Sequence, residues 1–206
     1  MADRASLYLA SRSPRRRELL RQIGVSFELL DIEVDEGQRP DEPPADYVRR
    51  VAEEKAVAGF KQIAAADRRP VLAADTSVVV SGQILGKPEN RDHGIWMLGQ
   101  LSDTTHEVFS AVTLCQSVPL TRVSVSRVTF RKLSEAEMLD YWHTGEPLDK
   151  AGSYAIQGLG AQYITRLEGS YSAVMGLPLF ETAQLLQQAG IEFGAGKTNL
   201  TGPGSI

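Results

Sequence analysis

The stretch LYLASRSPRRREL, residues 7–19, begins with an apolar quartet and passes through a short polar loop into a run of arginines. The quartet is typical of a buried strand. Ser13 followed by Pro14 is a capping residue before a proline at the first helical position, and helical spacing of apolar residues then continues to Gly24. A strand that leads through a tight loop into a helix predicts an α/β fold.

The same two patterns alternate along the rest of the chain. Apolar runs and period-two patterns predict strands at 7–10, 25–30, 71–80, 108–114 and 123–130. Helical spacing predicts helices at 14–24, 45–65, 92–101 and 179–189, and Ser134 with Glu137 forms a capping box before a fifth helix. No linker-like segment divides residues 1–194, so we expect one domain there and a disordered tail at 195–206.

The composition is that of an ordinary globular chain with an acidic balance. It has 206 residues, 42% of them hydrophobic, and a formal net charge of −4. At that charge we expect no broad basic face for a nucleic-acid polymer or a membrane surface. The lone Cys115 excludes an internal disulfide, and the N-terminus lacks the apolar run of a signal peptide or a membrane span. We therefore expect a cytoplasmic protein.

The loop after the first strand has the chemistry of an anion site. Ser11 and Ser13 offer hydroxyls, Arg15 offers a fork of N–H donors, and the start of the helix offers free backbone N–H groups. Cations at a helix N-terminus oppose its dipole, which favours an anionic ligand such as phosphate. The alternative is a solvated helix face with glutamate partners, which we favour for Arg16 and the arginines after it.

A second candidate site interrupts the apolar run VLAADTSVVVSG, residues 71–82. Asp75 followed by Thr76 places a carboxylate beside buried surface, where burial makes it a stronger base and a cation keeps it ionised. A turn aspartate that caps its own backbone is the alternative. Lys55 on an apolar helix side and Lys87 in a stiff Gly/Pro loop are candidate cleft cations, although such a lysine more often extends to solvent.

Two further segments carry polar candidates. The segment DIEVDEG, residues 31–37, includes Glu36, whose oxygens suit Mg²⁺ but are equally common in a solvated acidic loop. The glycine-rich segment 148–179 carries Gln157. Its amide both donates and accepts hydrogen bonds, so it matches the O4/N3–H edge of uracil or thymine, and a solvent-facing glutamine is the default alternative.

These segments resemble one known family in their order and spacing. The motifs LASRSPRRRELL, VDE, AEEKA, AADTSVV, GKP, LSDTTHEV, LDKAGSYAIQGLGAQYI and EGSYSAVMGLPL are similar to those of the Maf family of nucleoside triphosphate pyrophosphatases. The resemblance implies an inosine-triphosphatase-like α/β fold, with a mixed sheet, flanking helices and two lobes around a deep cleft. It also implies a homodimer that uses a divalent metal ion, Mg²⁺ or Mn²⁺, and converts a nucleoside triphosphate to the monophosphate and pyrophosphate.

The resemblance also implies roles for individual residues. Asp75 matches the family's general base, and Glu36 with Asp75 matches its acidic residues near the metal. The substrate-binding and specificity positions are matched by Ser11, Ser13, Arg15, Lys55, Thr76, Lys87 and Gln157. Among these, Arg15, Thr76 and Gln157 are typical of the subgroup that acts on dTTP and UTP, whereas a subgroup that acts on 7-methyl-GTP tends to carry Trp, Gln and Glu there.

Three functions follow as hypotheses. The leading one is a house-cleaning pyrophosphatase that hydrolyses dTTP, UTP and modified pyrimidine nucleotides. The second is a nucleotide-binding regulator of cell division or septum formation with little turnover, for which a base such as Asp75 beside Lys87 and Glu36 would have no use. The third is a 7-methyl-GTP pyrophosphatase, which all three specificity positions oppose.

Overall fold

A computed structural model describes residues 5–194, and the tail predicted at 195–206 lies outside them. The helices are α1 (Pro14–Gln22), α2 (Pro44–Gln62), α3 (Arg91–Leu101), α4 (Glu135–His143), α5 (Tyr171–Met175) and α6 (Leu179–Gln188). The strands are β1 (Leu7–Leu9), β2 (Phe27–Leu29), β3 (Val71–Val80), β4 (Gln83–Leu85), β5 (Thr105–Cys115), β6 (Pro119–Phe130) and β7 (Ile164–Glu168). Short 3₁₀ turns occupy Glu146–Asp149, Ala151–Ser153 and Leu159–Tyr163. Within the described part, no helix is both long and apolar enough to cross a bilayer.

The strands form one mixed sheet in the order β2-β1-β3-β5-β6-β7, and β4 adds to part of β3. β1 is parallel to both β2 and β3, while every other pair in this order is antiparallel. The long strand β3 pairs with β5 from Val71 to Val79 and therefore forms the centre of the sheet. The expected α/β fold with a mixed sheet and flanking helices is confirmed.

Local sequence signals account for most of these elements. β3 has the bounds that its apolar run predicts. Both capping-box bonds of Ser134 and Glu137 are present at the start of α4. Ser13 lies at the N-cap position before Pro14, as predicted, but its hydroxyl makes no capping bond to the helix. The strands β4 and β7 and the helix α5 were not predicted, because three to five residues are too few to show a period.

A pair of hydroxyls divides the apolar core on one face of the sheet. Thr76 on β3 is directly opposite Ser110 on β5, and both side chains lie on the same face because antiparallel partners do so. On one side of this pair lies a cluster around α1 and α6 that contains Leu72, Ala74, Val112, Leu114 and Leu185. On the other side lies a cluster around α3 and α4 that contains Val78, Val108, Leu98, Phe130 and Tyr141.

Candidate active site

An unpaired stretch at one edge of β3 leaves room for a site. β5 pairs with one side of β3 along most of its length, but on the other side β1 reaches only Leu72 and β4 begins opposite Val78. Within residues 5–194, no strand faces residues 73–77 on that side. Asp75 and Thr76 lie in this stretch, and successive side chains on a strand point to opposite faces. The gap in the sheet therefore gives access to two polar side chains from two directions.

The carboxylate of Asp75 is held by a lysine from α2. The Nζ atom of Lys55 donates to Oδ1 of Asp75 at 3.0 Å, and the two side chains are only 11% and 10% exposed. The same Nζ lies 2.8 Å from Oε1 of Glu36, whose side chain is 52% exposed. Lys55 therefore does not extend to solvent, and one ammonium group bridges the two carboxylates that were predicted to lie at the site.

Burial and charge separate the acidities of these two carboxylates. Burial raises the pKa of Asp75, although the charges of Lys55 and Arg16 act against this rise. Burial also raises the pKa of Glu36, but the hydrogen bond from Lys55 and the charges of Lys55, Lys87 and Arg16 outweigh it and lower the pKa overall. A pair of acidic groups with pKa values moved apart is typical of acid–base sites, and Asp75 is the stronger base of the two.

The loop between β1 and α1 supplies the predicted hydroxyls and Arg15. The backbone N–H of Ser13 donates to Oγ of Ser11 at 3.2 Å, which gives the loop a tight turn. Burial lowers the pKa of Arg15, and the charge of Asp149 partly offsets that effect. The loop thus places polar groups and one partly desolvated guanidinium at the start of a helix.

Arg16 is the residue that sequence reasoning placed wrongly. Instead of a solvated face with a glutamate partner, its Nε donates to the carbonyl of Gly176 at 2.7 Å. Its Nη1 lies 3.4 Å from Oγ of Ser11, and its Nη2 lies 3.4 Å from Oγ1 of Thr76. Burial lowers its pKa, while the charge of Asp75 raises it. Arg16 is therefore a desolvated cation in the electrostatic field of the candidate base.

Two lysines add to this positive charge. Lys87 is exposed in the loop after β4, and its charge contributes to the lowered pKa of Glu36. Lys150 follows the first 3₁₀ turn, and its pKa is lowered by burial and by the charges of Arg15 and Lys87. Lys150 therefore lies in the repulsive field of Arg15 and Lys87, which a polyanionic ligand would relieve. Lys150 was not among the predicted site residues, although it is one of the few long polar side chains of the glycine-rich segment 148–179.

The backbone that carries Glu36 is fixed by α2. The hydroxyl of Tyr47 donates to the carbonyl of Glu36 at 2.8 Å, and Nη2 of Arg50 donates to the carbonyl of Gly37 at 2.8 Å. Arg50 also binds both carboxylate oxygens of Glu42, at 2.6 and 2.8 Å. The helix α2, which supplies Lys55, thus also fixes the acidic loop. Both Lys55 and Glu36 are therefore positioned by one helix.

Gln157 lies apart from these contacts. It is exposed, just before the 3₁₀ turn at Leu159–Tyr163, and the polar contacts that join Asp75, Lys55 and Arg16 do not include it. The turn is held by Glu146, which accepts bonds from the N–H groups of Leu159 and Gly160 at 2.9 and 3.0 Å. The structure therefore shows a fixed turn next to Gln157, and its role in base recognition stays a prediction.

The residues present are compatible with a metal ion that is bound together with a ligand. The described residues contain no group of three or more His, Cys, Asp and Glu side chains placed to hold an ion. Glu36 and Asp75 nevertheless provide carboxylate oxygens, and Mg²⁺ is usually held by one or two carboxylates together with substrate phosphates and water. The bridging ammonium of Lys55 already contacts one oxygen of each. This donor set suits an ion whose remaining ligands come from phosphates.

Fold and site together define an α/β protein with a cation-rich site around a buried carboxylate. The sequence matches the family model described as Maf-like protein over residues 6–189, and the chain belongs to this family. Proteins named dTTP/UTP pyrophosphatase are similar to this chain over nearly its whole length. The one from Alkalilimnicola ehrlichii is 53% identical over 92% of this chain and 96% of its own, and the one from Methylococcus capsulatus is 53% identical over 92% and 94%.

The similarity to solved structures is more distant. The nucleoside-triphosphatase / dITP/XTP pyrophosphatase of Mycobacterium abscessus is 18% identical, with a TM-score of 0.43 over 88% of this chain and 94% of its own. The Ham1 protein of Staphylococcus aureus is 14% identical, with a TM-score of 0.42 over 89% and 96%. The fold is defined by the sheet order and by the family match.

Proposed function

We propose that this protein hydrolyses nucleoside triphosphates between the α- and β-phosphates, and that dTTP and UTP are its preferred substrates. The observation that carries the proposal is the buried Asp75, bridged by Lys55 to Glu36 and lying near the desolvated Arg16. This arrangement combines a base with cations that suit a polyanionic substrate. The names of relatives that are 53% identical over nearly the whole chain support the reaction and the pyrimidine preference.

In this reaction Asp75 accepts a proton from water. The water oxygen forms a bond to the α-phosphorus, the bond from that phosphorus to the α,β-bridging oxygen breaks, and pyrophosphate leaves. Burial raises the pKa of Asp75 and makes its ionised form a stronger base, while the ammonium of Lys55 at 3.0 Å favours the ionised form. No covalent intermediate with the protein is needed.

The cations of the candidate site bind the phosphates and stabilise their charge. Phosphoryl transfer depends mainly on positioning and on neutralising the charge that develops in the transition state. Arg16, whose charge acts on the candidate base, suits the reacting phosphate. Arg15, Lys87 and Lys150 suit the leaving pyrophosphate, because Arg15 and Lys87 both act on the charge of Lys150. Ser11 and Ser13 add hydroxyls at the start of α1, where backbone N–H groups favour an anion.

We further propose a divalent metal ion, a homodimer and a cytoplasmic location. Glu36 and Asp75 would hold the ion together with the phosphates, and the ion would polarise the phosphate oxygens. Base selection is proposed for Gln157, whose amide matches the edge of uracil or thymine that has one donor and one acceptor. It lies just before a turn that Glu146 fixes by two backbone hydrogen bonds.

The test is pyrophosphate release by the purified protein with Mg²⁺ or Mn²⁺ from dTTP, UTP, CTP, dATP, GTP, ITP and 7-methyl-GTP. We expect release chiefly from dTTP and UTP. Asp75→Asn should lower turnover by about 10²- to 10⁴-fold and retain nucleotide binding, whereas the charge-matched control Asp140→Asn on the exposed side of α4 should not change it. Binding without turnover of any nucleotide would overturn the reaction, and a preference for 7-methyl-GTP would overturn the assigned base.

A further inference from the structure

The backbone that carries Gln157 is fixed on one side by a tyrosine. Gln157 is the third residue of a turn in which the N–H of Gly158 donates to the carbonyl of Ala155 at 3.3 Å. The N–H of Ala155 donates to the hydroxyl oxygen of Tyr141 at 3.1 Å. Ala155 and Tyr141 are only 4% and 2% exposed, whereas Gln157 is exposed. The backbone before Gln157 is therefore held in the core, while its amide is accessible to a ligand.

A carboxylate fixes the backbone on the other side of Gln157. Oε2 of Glu146 accepts from the N–H of Leu159 at 2.9 Å, and Oε1 accepts from the N–H of Gly160 at 3.0 Å. The hydroxyl of Tyr141 donates its single proton to the same Oε1 at 2.6 Å. Burial raises the pKa of Glu146, but these three hydrogen bonds and the charge of Lys150 outweigh it and lower the pKa overall. Tyr141 and Glu146 therefore form one hydrogen-bonded pair that holds both sides of the turn.

Two glycines allow this pair to approach the backbone of the turn. A Cβ at Gly158 would lie 2.2 Å from Oε2 of Glu146, and a Cβ at Gly160 would lie 2.7 Å from the hydroxyl oxygen of Tyr141. Both distances are shorter than a Cβ contact allows, so a larger residue at either position would displace the pair or the turn. The two glycines that follow Gln157 are thus explained by the contacts that hold its backbone.

We propose that Tyr141 and Glu146 are positioning residues that determine base selectivity by holding the backbone of Gln157 in place before the substrate binds. The inference rests on the proposed function, because it takes Gln157 as a residue that recognises the base. A fixed backbone leaves only the side-chain torsions of Gln157 to be ordered on binding, which lowers the entropic cost of its hydrogen bonds to the base. A mobile backbone would also let the amide reach the edges of other bases, so the preference among bases would fall.

The test compares base selectivity with phosphate affinity, both measured as binding by calorimetry. The probes are the α,β-methylene analogues of dTTP and GTP, which cannot be cleaved between the α- and β-phosphates, and inorganic tripolyphosphate, which has no base. We expect Tyr141→Phe and Glu146→Gln to lower the preference for the dTTP analogue by about tenfold, the effect of one hydrogen bond that is no longer aligned. Tripolyphosphate should bind to Tyr141→Phe as it does to the wild type. It should bind no more weakly to Glu146→Gln, because Lys150 then loses only a neighbouring negative charge.

A double substitution separates positioning through Gln157 from a general effect on the structure. If the pair acts through Gln157, Tyr141→Phe should change the base preference by less than about twofold in a Gln157→Ala background, where the amide is already missing. The control is Glu28→Gln on the edge strand β2, which neutralises a carboxylate that binds Arg69. It should leave both the base preference and the tripolyphosphate affinity unchanged.

Melting temperatures show that each variant is folded, and the near-isosteric Tyr141→Phe carries the test if Glu146→Gln is unstable. An unchanged base preference in folded Tyr141→Phe, or additive effects with Gln157→Ala, would overturn the inference. An equal loss of affinity for tripolyphosphate would also overturn it, because the whole site would then be disturbed. Since binding needs no turnover, a wild-type protein that prefers the dTTP analogue but hydrolyses no nucleotide would refute the proposed function, and the same binding ratios would still decide this inference.

Discussion

The stability of this protein should fall between pH 7 and pH 4 because of one buried histidine. His106 on β5 is 1% exposed, and its Nε2 lies 2.9 Å from the hydroxyl of Tyr154. Its Nδ1 is buried without a hydrogen-bond partner, and the rings of Phe130 and Tyr154 pack against it at 5.2 and 5.4 Å. Burial lowers the pKa of His106 from 6.5 to about 4, since a charged ring would be desolvated among these aromatic side chains.

The sign and size of the effect follow from that pKa. Below pH 6.5 the unfolded chain binds a proton that folded His106 does not take up until about pH 4, so lower pH favours the unfolded state. At 1.36 kcal/mol per pKa unit, the loss in the free energy of unfolding reaches about 3 kcal/mol at pH 4. The stabilising contribution is complete above pH 6.5 and is lost as the pH falls toward 4.

Urea unfolding followed by tryptophan fluorescence at pH 7, 5.5 and 4 measures this loss. The matched variant is His106→Gln, which does not titrate and retains a group that can bond to the hydroxyl of Tyr154. Carboxylates with lowered pKa values, such as Glu42 and Glu137 at about 2, contribute equally to both proteins, so the difference between the two pH profiles isolates the histidine. Parallel profiles from pH 7 to pH 4 would refute the reasoning.

Two further substitutions test the supports of the site. In Gly158→Ala the new Cβ would lie 2.2 Å from Oε2 of Glu146. Glu146 must then release its hydrogen bonds to the neighbouring turn. Urea unfolding should therefore show a free energy of unfolding that is lower by about 1–3 kcal/mol. The control is Gly99→Ala, at an exposed helix position where a Cβ meets no atom within 4 Å. This change should stabilise the protein by about 1 kcal/mol. Equal changes in the free energy of unfolding for the two variants would contradict a clash with Glu146. In Arg50→Lys, the lysine cannot bind both oxygens of Glu42 and also hold the carbonyl of Gly37. We therefore expect a lower melting temperature and a higher KM for dTTP. An unchanged KM would show that the acidic loop does not depend on Arg50.

The sequence predicts the parts of this molecule that depend on local patterns. The central strand is a continuous apolar run, and the start of α4 is a capping box, so both follow from neighbouring residues. Asp75 stands out because it interrupts that run, and the structure places it beside Lys55 as a paired carboxylate.

Arg16 could not be predicted in the same way. Two of its hydrogen-bond acceptors, Gly176 and Thr76, are 160 and 60 positions away along the chain. An arginine on the first turn of a helix has the same local pattern whether it is solvated or buried. Only the sheet order, which brings β1 beside β3 and places α5 over β5, decides between these states. The effect of Arg15 and Lys87 on the pKa of Lys150 depends on tertiary structure for the same reason.

The mixed direction of the sheet has a consequence for the order in which the protein folds. β5 and β6 are antiparallel neighbours separated by three residues, whereas β1 must pair with β3 across about sixty residues of intervening chain. Local pairings carry a smaller loop-closure entropy and generally form sooner. The hairpin of β5 and β6 should therefore form early in refolding, and the junction of β1 with β3, which completes the site, should form late. Pyrophosphate release would then return more slowly than the circular dichroism signal of the sheet, and simultaneous recovery of the two signals would show that the pairings form together.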